Sequence, residues 1–341
     1  MRIAGVVVDG QRVYVRDEGS QFVRQFDSGG RFVRNVGRPG AGPGEFQGLF
    51  AIGTLADTLW AIDVAQRRVS MFNSDGRFIR SWPLDKLGQA GSARADSFFS
   101  MPLALTSDGE MLGFGGTTGR AIADGRVTAS PVYRMARSGA VIGTLTWVSI
   151  RHSDMVLRSA SAMMYRAQPF ADNPLLACDG ANRRVIVIQR SSSDRRSAAS
   201  FRATAINLLG DTLWSTVVPV APVPISRTAR DSVREAVLRA IRPRFAAAEL
   251  DRALFLPEFA TPVTAAIVAA DGSTWLRGAD AGGSVRYYVL DRNGSLTGLA
   301  SGNPSTRLLW VSDRMAWGEE VVDEVPTLVR LRIERTALSG R

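Results

Sequence analysis

The chain has 341 residues and a net charge of +10; 45% of its residues are hydrophobic and 22% are charged, which is typical of a globular protein. It contains one cysteine, Cys178, and one histidine, His152, so an internal disulfide and a metal site built from several Cys and His ligands are both excluded. No apolar run reaches the ~18 residues that a membrane-spanning helix needs. Lys86 is the only lysine among 42 basic residues, so arginine carries the charge, which favours acidic partners.

The N-terminal quarter of the chain contains a sequence repeat. Residues 26–34 return in similar form at 72–80, an offset of 46 residues, and weaker copies occur at 137–142 and 290–296. In the two clearest copies, Asp or Asn and a glycine lie between two short alternating segments, as in a tight β-hairpin. A repeat of this length with about four short strands predicts the blade of a β-propeller.

In chain order, the strand pattern predicts six blades in one domain that covers residues 1–341. The expected blades span 6–36, 49–83, 102–150, 175–219, 262–299 and 307–334. The last blade has one strand fewer than the others in this reading. Three ways of closing the ring therefore stay open: a three-stranded sixth blade, a strand supplied by residues 335–341, or one supplied from upstream of Met1.

A helical insertion interrupts the strands between blades four and five, at about 226–255. The pattern predicts a helix over 226–242, a second one over 245–254, and a capping box at 228–231. The apolar positions that follow the 3.6-residue period are Ala229, Val233, Ala236, Val237, Ala240 and Ile241.

Three arginines in the first of these helices are the candidate partner surface. Arg227, Arg230 and Arg234 follow the spacing i, i+3, i+7, which places three cations on one stripe. We expect this stripe to lie opposite the apolar stripe and to meet an acidic protein or an anionic headgroup surface. Codon bias toward arginine explains the same residues equally well.

The segment Gly-Arg-Pro-Gly-Ala-Gly-Pro-Gly-Glu-Phe at residues 37–46 resembles the linker between blades in NHL-type propellers. The chain is thus similar to the bacterial six-bladed β-propeller family, most clearly over 6–83 and more loosely to about 150. The resemblance implies an all-β fold in which this linker crosses from one outer strand to the next inner strand, with Phe46 plugging the gap between blades. It implies little about activity, because propellers carry unrelated functions.

We expect a non-catalytic propeller without a cofactor that acts as a protein–protein interaction or accessory subunit of a larger assembly. Similar propellers are accessory subunits of bacterial membrane complexes, photosynthetic reaction-centre assemblies among them. This likeness implies protein partners with acidic surfaces and a place in the periplasm or at a membrane surface. The cytoplasm is the alternative location, and nucleic acid is not the expected partner.

Two other functions stay open. Some six-bladed propellers are calcium-dependent lactonases, and oxygen ligands for Ca²⁺ are available near predicted strand ends at Asp9, Asp63, Asp179 and Asp271, although Asp is also an ordinary turn residue there. Some NHL propellers bind RNA through a basic face with stacking aromatic residues. The tryptophans of this chain, Trp147 included, lie in predicted strands, where we expect them to pack in the core.

His152 and Cys178 are the remaining candidates for chemistry. Asp154 is close enough in sequence to orient His152 as a general base, but the chain lacks a Gly-x-Ser-x-Gly nucleophile turn. We therefore expect a loop histidine with ordinary hydrogen bonds, and a cysteine that packs as a small apolar residue. The sequence predicts no catalytic residue and no metal ligand.

Overall fold

The computed structural model describes residues 2–88, 98–117, 127–150, 154–190, 199–242, 244–281, 283–334 and 336–337. Six antiparallel sheets follow one another along the chain, and within each the strands are paired in sequence order. The inner strand of each sheet contacts the inner strand of the next, and the sixth contacts the first. The chain is a six-bladed β-propeller, as the repeat predicts.

Blades one to three have four strands each. Blade one consists of β1 (Ile3–Asp9), β2 (Arg12–Asp17), β3 (Val23–Asp27) and β4 (Phe32–Val36). The linker holds β5 (Arg38–Pro39) and β6 (Glu45–Phe46). Blade two consists of β7 (Leu49–Leu55), β8 (Thr58–Asp63), β9 (Arg68–Phe72) and β10 (Phe78–Pro83). Blade three consists of β11 (Phe98–Leu105), β12 (Met111–Thr117), β13 (Ala129–Met135) and β14 (Val141–Ser149).

A hairpin and two helices are inserted among the later blades. The hairpin, β15 (Asp154–Arg158) and β16 (Met163–Ala167), precedes blade four, which consists of β17 (Leu175–Asp179), β18 (Arg184–Arg190), β19 (Ser200–Asn207) and β20 (Thr212–Pro219). Helices α1 (Arg227–Ile241) and α2 (Ala247–Ala253) follow. Blade five consists of β21 (Val263–Val268), β22 (Thr274–Ala281), β23 (Ser284–Leu290) and β24 (Leu296–Gly302). Blade six consists of β25 (Arg307–Val311), β26 (Met315–Val322) and β27 (Val325–Arg332), and β28 (Thr336–Ala337) comes last.

The ring closes between blades six and one through side chains. The backbone N–H of Ile3 donates to Oε1 of Glu319 at 2.7 Å, and Arg307 forms an ion pair with the same carboxylate at 2.6 Å. Trp317 packs against Ile3 and Val13 of blade one. Of the three alternatives for closure, the described residues show a three-stranded blade six. Thr336–Ala337 pairs with β24 of blade five, so these two residues do not add a strand to blade six.

One type of turn recurs in four of the blade hairpins. An Asp or Asn Oδ1 atom accepts hydrogen bonds of 2.8–3.1 Å from the backbone N–H groups two and four residues later. Three residues after it, a glycine has a φ between 73° and 91°, which other residues rarely adopt. The four side chains are those of Asp27, Asn73, Asn207 and Asp291. This confirms the predicted hairpins at 26–34, 72–80 and 290–296.

The glycine-rich linker also has the predicted arrangement. Phe46 is fully buried between blades one and two and packs 5.8 Å from the ring of Phe72, centroid to centroid. Gly37 has φ +72° and lies where a Cβ atom would overlap the Phe46 ring. A glycine is therefore required at this position both by the backbone and by the neighbouring ring.

The helical insertion lies where the sequence places it, but two of its details differ from the prediction. Ser226 caps α1, because its hydroxyl accepts the N–H of Ala229 at 3.1 Å, so the capping box at 228–231 is wrong. The buried residues of α1 are Leu238 and Ile241, whereas Ala229, Ala236 and Ala240 are exposed. The inward face is therefore rotated from the predicted apolar stripe.

Candidate functional site

An apolar pocket of about 620 Å³ runs across blade three beside blade four. It is called the axial pocket here because its inner end lies where the inner strands of blades two, three and four begin. Phe50 of β7, Phe99, Met101 and Leu103 of β11, and Leu175 of β17 line it. These residues lie on inner strands, and because successive side chains of a strand face opposite sides of its sheet, alternate ones reach the cleft between neighbouring blades. Phe99 is 43% exposed, so the pocket offers an accessible aromatic surface.

Two polar groups at this pocket, the Ser130 hydroxyl and the Asn173 carbonyl, serve the fold. The Ser130 hydroxyl donates to the carbonyl of Gly115, and the carbonyl of Asn173 accepts from Nε of Arg190 at 2.8 Å. Burial lowers the pKa of the Arg190 guanidinium, which also donates to the carbonyl of Val263 at 2.7 Å. The arrangement therefore suits an apolar group that gains by leaving water.

The hairpin β15–β16 and the helices α1 and α2, together called the cap, lie on the same face of the disc as the pocket. The hairpin β15–β16 and the helices α1 and α2 belong to connections between one blade's outer strand and the next blade's inner strand, so both insertions emerge from one face. They share a small core that is separate from the blade cores. Its buried members are Met155, Leu157, Leu238, Ile241, Phe245 and Leu250.

Gln168 ties the two insertions together beneath this core. Its Nε2 donates to the carbonyl of Ala253 at 2.8 Å, and its Oε1 accepts the N–H of Phe255 at 3.0 Å. The N–H of Arg158 donates to Oε1 of Glu249 at 3.1 Å. Ile150, Asp154 and Pro174, at the two roots of the hairpin segment, line the axial pocket. The cap and the pocket thus form one continuous surface.

The three candidate arginines do not form a free stripe opposite the buried face. Arg234 precedes Leu238 and Ile241 by four and seven residues, so it lies on the inward side of α1. Its guanidinium binds both carboxylate oxygens of Asp251 in α2, at 2.6 and 2.8 Å. This ion pair raises the pKa of Arg234 and lowers the pKa of Asp251. The prediction that the arginine stripe lies opposite the buried face of the helix is therefore wrong for Arg234.

Arg227 is exposed and Arg230 is half-buried. Whether they and Arg234 meet a partner stays a prediction. In the segments that the structure describes, no helix combines the length and the apolar character that a bilayer-crossing segment needs.

The four aspartates considered as calcium ligands lie in different blades and serve their turns. Asp63 is fully buried and accepts the backbone N–H groups of Gln47, Gly48 and Gln66 at 2.7–3.1 Å. It ends a second strand, so it lies on the opposite face from the other three, which end or follow inner strands. Within the described residues, no three Asp, Glu, His or Cys side chains are grouped as metal ligands would be.

The other three aspartates also form ion pairs or accept hydrogen bonds at their turns. Asp179 is buried and paired with Arg184 at 2.9 Å, and Arg184 reaches blade five by donating to the carbonyl of Gly272 at 2.9 Å. Asp9 pairs with Arg12 at 3.0 Å. Asp271 accepts from the N–H and the hydroxyl of a serine two residues later, at 2.9 and 2.6 Å.

Cys178 packs at the edge of the core between blades three and four. Burial of the sulfur, and then the charge of Asp179, raises the pKa of the Cys178 thiol to about 12, so it stays protonated at neutral pH. His152 lies outside the described residues. Trp147, expected in the core, is 48% exposed on the outer strand of blade three.

The sequence reading missed the axial pocket. The sequence feature that indicates this pocket is the pair of apolar residues at the start of an inner strand, such as Leu49-Phe50 and Phe98-Phe99. Alternation in one strand cannot reveal a pocket that three blades build together, because the strands that meet there are about 50 and 75 residues apart.

A family model described as a 6-bladed beta-propeller matches residues 2–92 of the chain. No curated protein matches the sequence. A PQQ-bound aldose sugar dehydrogenase from Streptomyces coelicolor is 12% identical, with 97% of this chain and 93% of that one covered and a TM-score of 0.45. Regucalcin, a calcium-binding protein from Agrobacterium tumefaciens, is 11% identical, with 95% and 84% covered and a TM-score of 0.39. These similarities concern the fold alone, and one of the two proteins is an enzyme.

Proposed function

We propose that this chain is a non-catalytic propeller that acts as an interaction subunit of a larger assembly and receives an apolar group of its partner in the axial pocket. The observation that carries the proposal is the pocket of about 620 Å³ with phenylalanine, methionine and leucine side chains at its wall. Such a surface gains ~25 cal/mol for each Å² of apolar area that binding removes from water.

The cap supports the same proposal. It adds a folded flank to the pocket, because the hairpin and the helices share a core and the two hydrogen bonds of Gln168. We extend the proposal to the exposed part of α1, where Arg227 and the half-buried Arg230 favour a partner with an acidic surface. A periplasmic or membrane-peripheral assembly, such as one of the reaction-centre type, is the setting that the resemblance to NHL-type propellers implies.

The two alternatives have less support. A calcium-dependent lactonase needs carboxylates with free oxygens that converge, whereas Asp63 and Asp179 already accept hydrogen bonds from neighbouring N–H groups and lie in different blades. An RNA-binding face needs several exposed aromatic residues together on a basic surface, whereas the aromatic residues of the pocket lie within an apolar wall and exposed Trp147 lies on the outer strand of blade three.

Phe99→Ala tests the proposal. Phe99 is 43% exposed in the free protein, so its loss should change the melting temperature little. If a partner group buries the exposed 43% of the ring, its removal should cost about 0.6–1.3 kcal/mol and weaken binding by about three- to tenfold. Tagged protein is recovered gently from its native cells, and co-purifying proteins are quantified by mass spectrometry. Leu209→Ala, at a 78% exposed position on the outer turn of blade four, is the matched control. Unchanged recovery with Phe99→Ala would overturn the proposal.

A further inference from the structure

Another cavity, of about 170 Å³, lies in the cleft between blades four and five at the base of the helical insertion. One wall comes from the segments that lead into and out of the insertion, and its apolar members are Val220, Pro222, Val223, Ala260 and Pro262. The N–H of Ala260 donates to the carbonyl of Val223 at 2.9 Å. The N–H of Ile225 donates to the carbonyl of Glu258 at 2.8 Å. The two segments are therefore paired with each other where they form this wall.

The opposite wall belongs to blade five and carries polar side chains. Ser284, Arg286 and Tyr288 alternate along β23, so their side chains point to the same face of the sheet. Ser301 of β24 pairs with Arg286 across the ladder and shares this face. The Tyr288 ring packs edge-on against Phe201 of blade four, with 5.4 Å between the ring centroids. This face of blade five therefore points into the cleft, with a guanidinium and three hydroxyl groups at the cavity.

A glycine makes room for this wall. β22 has a bulge beside β23, where Gly278 and Ala279 together oppose Arg286. A Cβ atom on Gly278 would lie 3.2 Å from Cε2 of Tyr288 and 3.1 Å from the carbonyl oxygen of Arg286. A larger residue at this position would therefore press on the tyrosine that lines the cavity.

Arg286 has no counter-charge. Among the described residues it forms no ion pair and no hydrogen bond, and the Tyr288 hydroxyl has no hydrogen-bond partner. None of the described residues that line the cavity is acidic. Asp280 pairs with Arg277 at 2.7 Å and lies opposite Val285, which is buried in the core on the other face of blade five. The described lining thus carries a single formal charge, which is positive.

The size and the chemistry of the cavity define the class of ligand that fits it. A protein cavity of about 150 Å³ holds one benzene molecule, so a cavity of about 170 Å³ has room for a single ring or a short branched chain. A guanidinium donates two parallel N–H bonds to a carboxylate, and hydroxyl groups donate to the same oxygens. The apolar wall gains only if the ligand also has an apolar body.

We propose that this cavity binds a small monocarboxylic acid with a compact apolar body. The carboxylate pairs with Arg286 and accepts from the hydroxyl groups of Tyr288 and Ser301, and the body lies against Val220 and Pro262. Because the ends of the helical insertion form the apolar wall, the bound acid also joins the base of the cap to blade five. The cavity shares no lining residue with the axial pocket, so the proposal does not depend on the proposed function.

Benzoate is the probe, and its affinity for the full chain is measured by calorimetric titration. Benzamide has the same shape without the charge, and inorganic phosphate has charge without an apolar body, so each should bind about fivefold or more weakly than benzoate. N-acetyl-glutamic acid amide presents a carboxylate on a blocked peptide main chain, which is too large for the cavity, and should also bind more weakly. Equal binding of benzamide or phosphate would overturn the proposal. Equal or tighter binding of the glutamate derivative would assign the cavity to a protein carboxylate and overturn it as well.

Arg286→Gln removes the cation at an exposed position, so the melting temperature should hardly change while benzoate binds about fivefold or more weakly. Arg80→Gln, at an exposed position on the outer strand of blade two, is the matched control and should bind benzoate like the parent protein. Unchanged affinity in Arg286→Gln, or an equal loss in both variants, would overturn the proposal.

Hydrogen exchange locates the bound acid. At about ten times the Kd of benzoate, exchange of the Ala260 amide should slow by about tenfold, because opening of this wall competes with binding. Exchange in blade two should not change. Phe99→Ala, in the axial pocket, should leave the affinity for benzoate intact. Protection that is absent at Ala260, or benzoate binding that is lost in Phe99→Ala, would place the acid elsewhere and overturn the proposal.

Discussion

Single Asp and Asn side chains hold the repeated turns, and the chain uses both residue types for the same task. Asp27 and Asn73 occupy equivalent places 46 residues apart and accept the same two backbone N–H groups. The carboxylate differs from the amide in charge. Hydrogen bonds from the N–H of Arg31 first, then from Gly29 and from the Arg31 side chain, lower the pKa of Asp27.

Asp27→Asn should therefore change the acid sensitivity of the fold more than its stability at neutral pH. A carboxyl group with a lowered pKa in the folded state stabilises the fold above its unfolded pKa of about 4, and this contribution is lost as the pH falls through the folded value. The Asn variant keeps both acceptor bonds, so its melting temperature at pH 7 should stay within about a degree. Between pH 5 and pH 3 its melting temperature should fall less than that of the parent protein.

The reciprocal variant, Asn73→Asp, is the control for this experiment. It introduces a carboxylate into the same turn geometry one blade later, so the loss of stability in acid should become steeper. Identical acid profiles for the parent and both variants would show that the turn carboxylate makes no contribution to pH dependence.

At the scale of secondary-structure elements, the cap depends on contacts between insertions from two different connections. α1 buries Leu238 and Ile241 against Met155 and Leu157 of the hairpin, and Arg234 joins α1 to Asp251 of α2. The cap core is separate from the blade cores. We therefore expect it to open locally without unfolding the propeller.

Charge reversal of the Arg234–Asp251 pair tests this view of the cap. Arg234→Asp alone, or Asp251→Arg alone, should leave like charges facing each other and speed hydrogen exchange in α2, while the global melting temperature hardly moves. The double variant restores an opposite-charge pair and should restore slow exchange. Arg227→Asp, at an exposed position of the same helix, should not speed exchange in α2. Equal exchange rates in all four variants would contradict a structural role for Arg234.

The contrast between hairpins and cap explains how far the sequence could predict this structure. The hairpin turns are local, because Asp27 and its partners lie within four residues, so the repeat of 46 residues revealed the blades. The inward face of α1 is set by Met155 and Leu157, which precede it by about 70 residues. The alanines that seemed to form the apolar stripe cost little when exposed. The 3.6-residue periodicity alone therefore predicted that α1 is a helix, but it did not predict which side of α1 faces the hairpin.

At the scale of the whole molecule, blade six contacts blade five, which precedes it in the chain, and blade one, which lies far from it in sequence. Glu319 joins it to the N-terminal strand of blade one, since the carboxylate accepts from the N–H of Ile3 and pairs with Arg307. Glu319 is 6% exposed, so its removal leaves a buried N–H and a partly buried guanidinium without this acceptor. The polar contacts of the seam between blades six and one thus centre on one carboxylate, beside the apolar packing of Trp317.

Glu319→Ala should therefore destabilise the ring at this seam. The expected cost is about 2–4 kcal/mol, because an unpaired buried donor and an unpaired charge each carry a desolvation penalty. For a chain of this length, a loss of 1 kcal/mol lowers the melting temperature by roughly 1–2 °C. Hydrogen exchange should accelerate first in β1, β25 and β26. Glu110→Ala is the matched control, because Glu110 binds Arg134 through two bonds of 2.7 Å inside blade three, and its other cationic neighbour, Arg183 at 4.0 Å, belongs to blade four. Its effect should stay within blades three and four. If both variants accelerate exchange at the seam equally, Glu319 has no special part in closing the propeller.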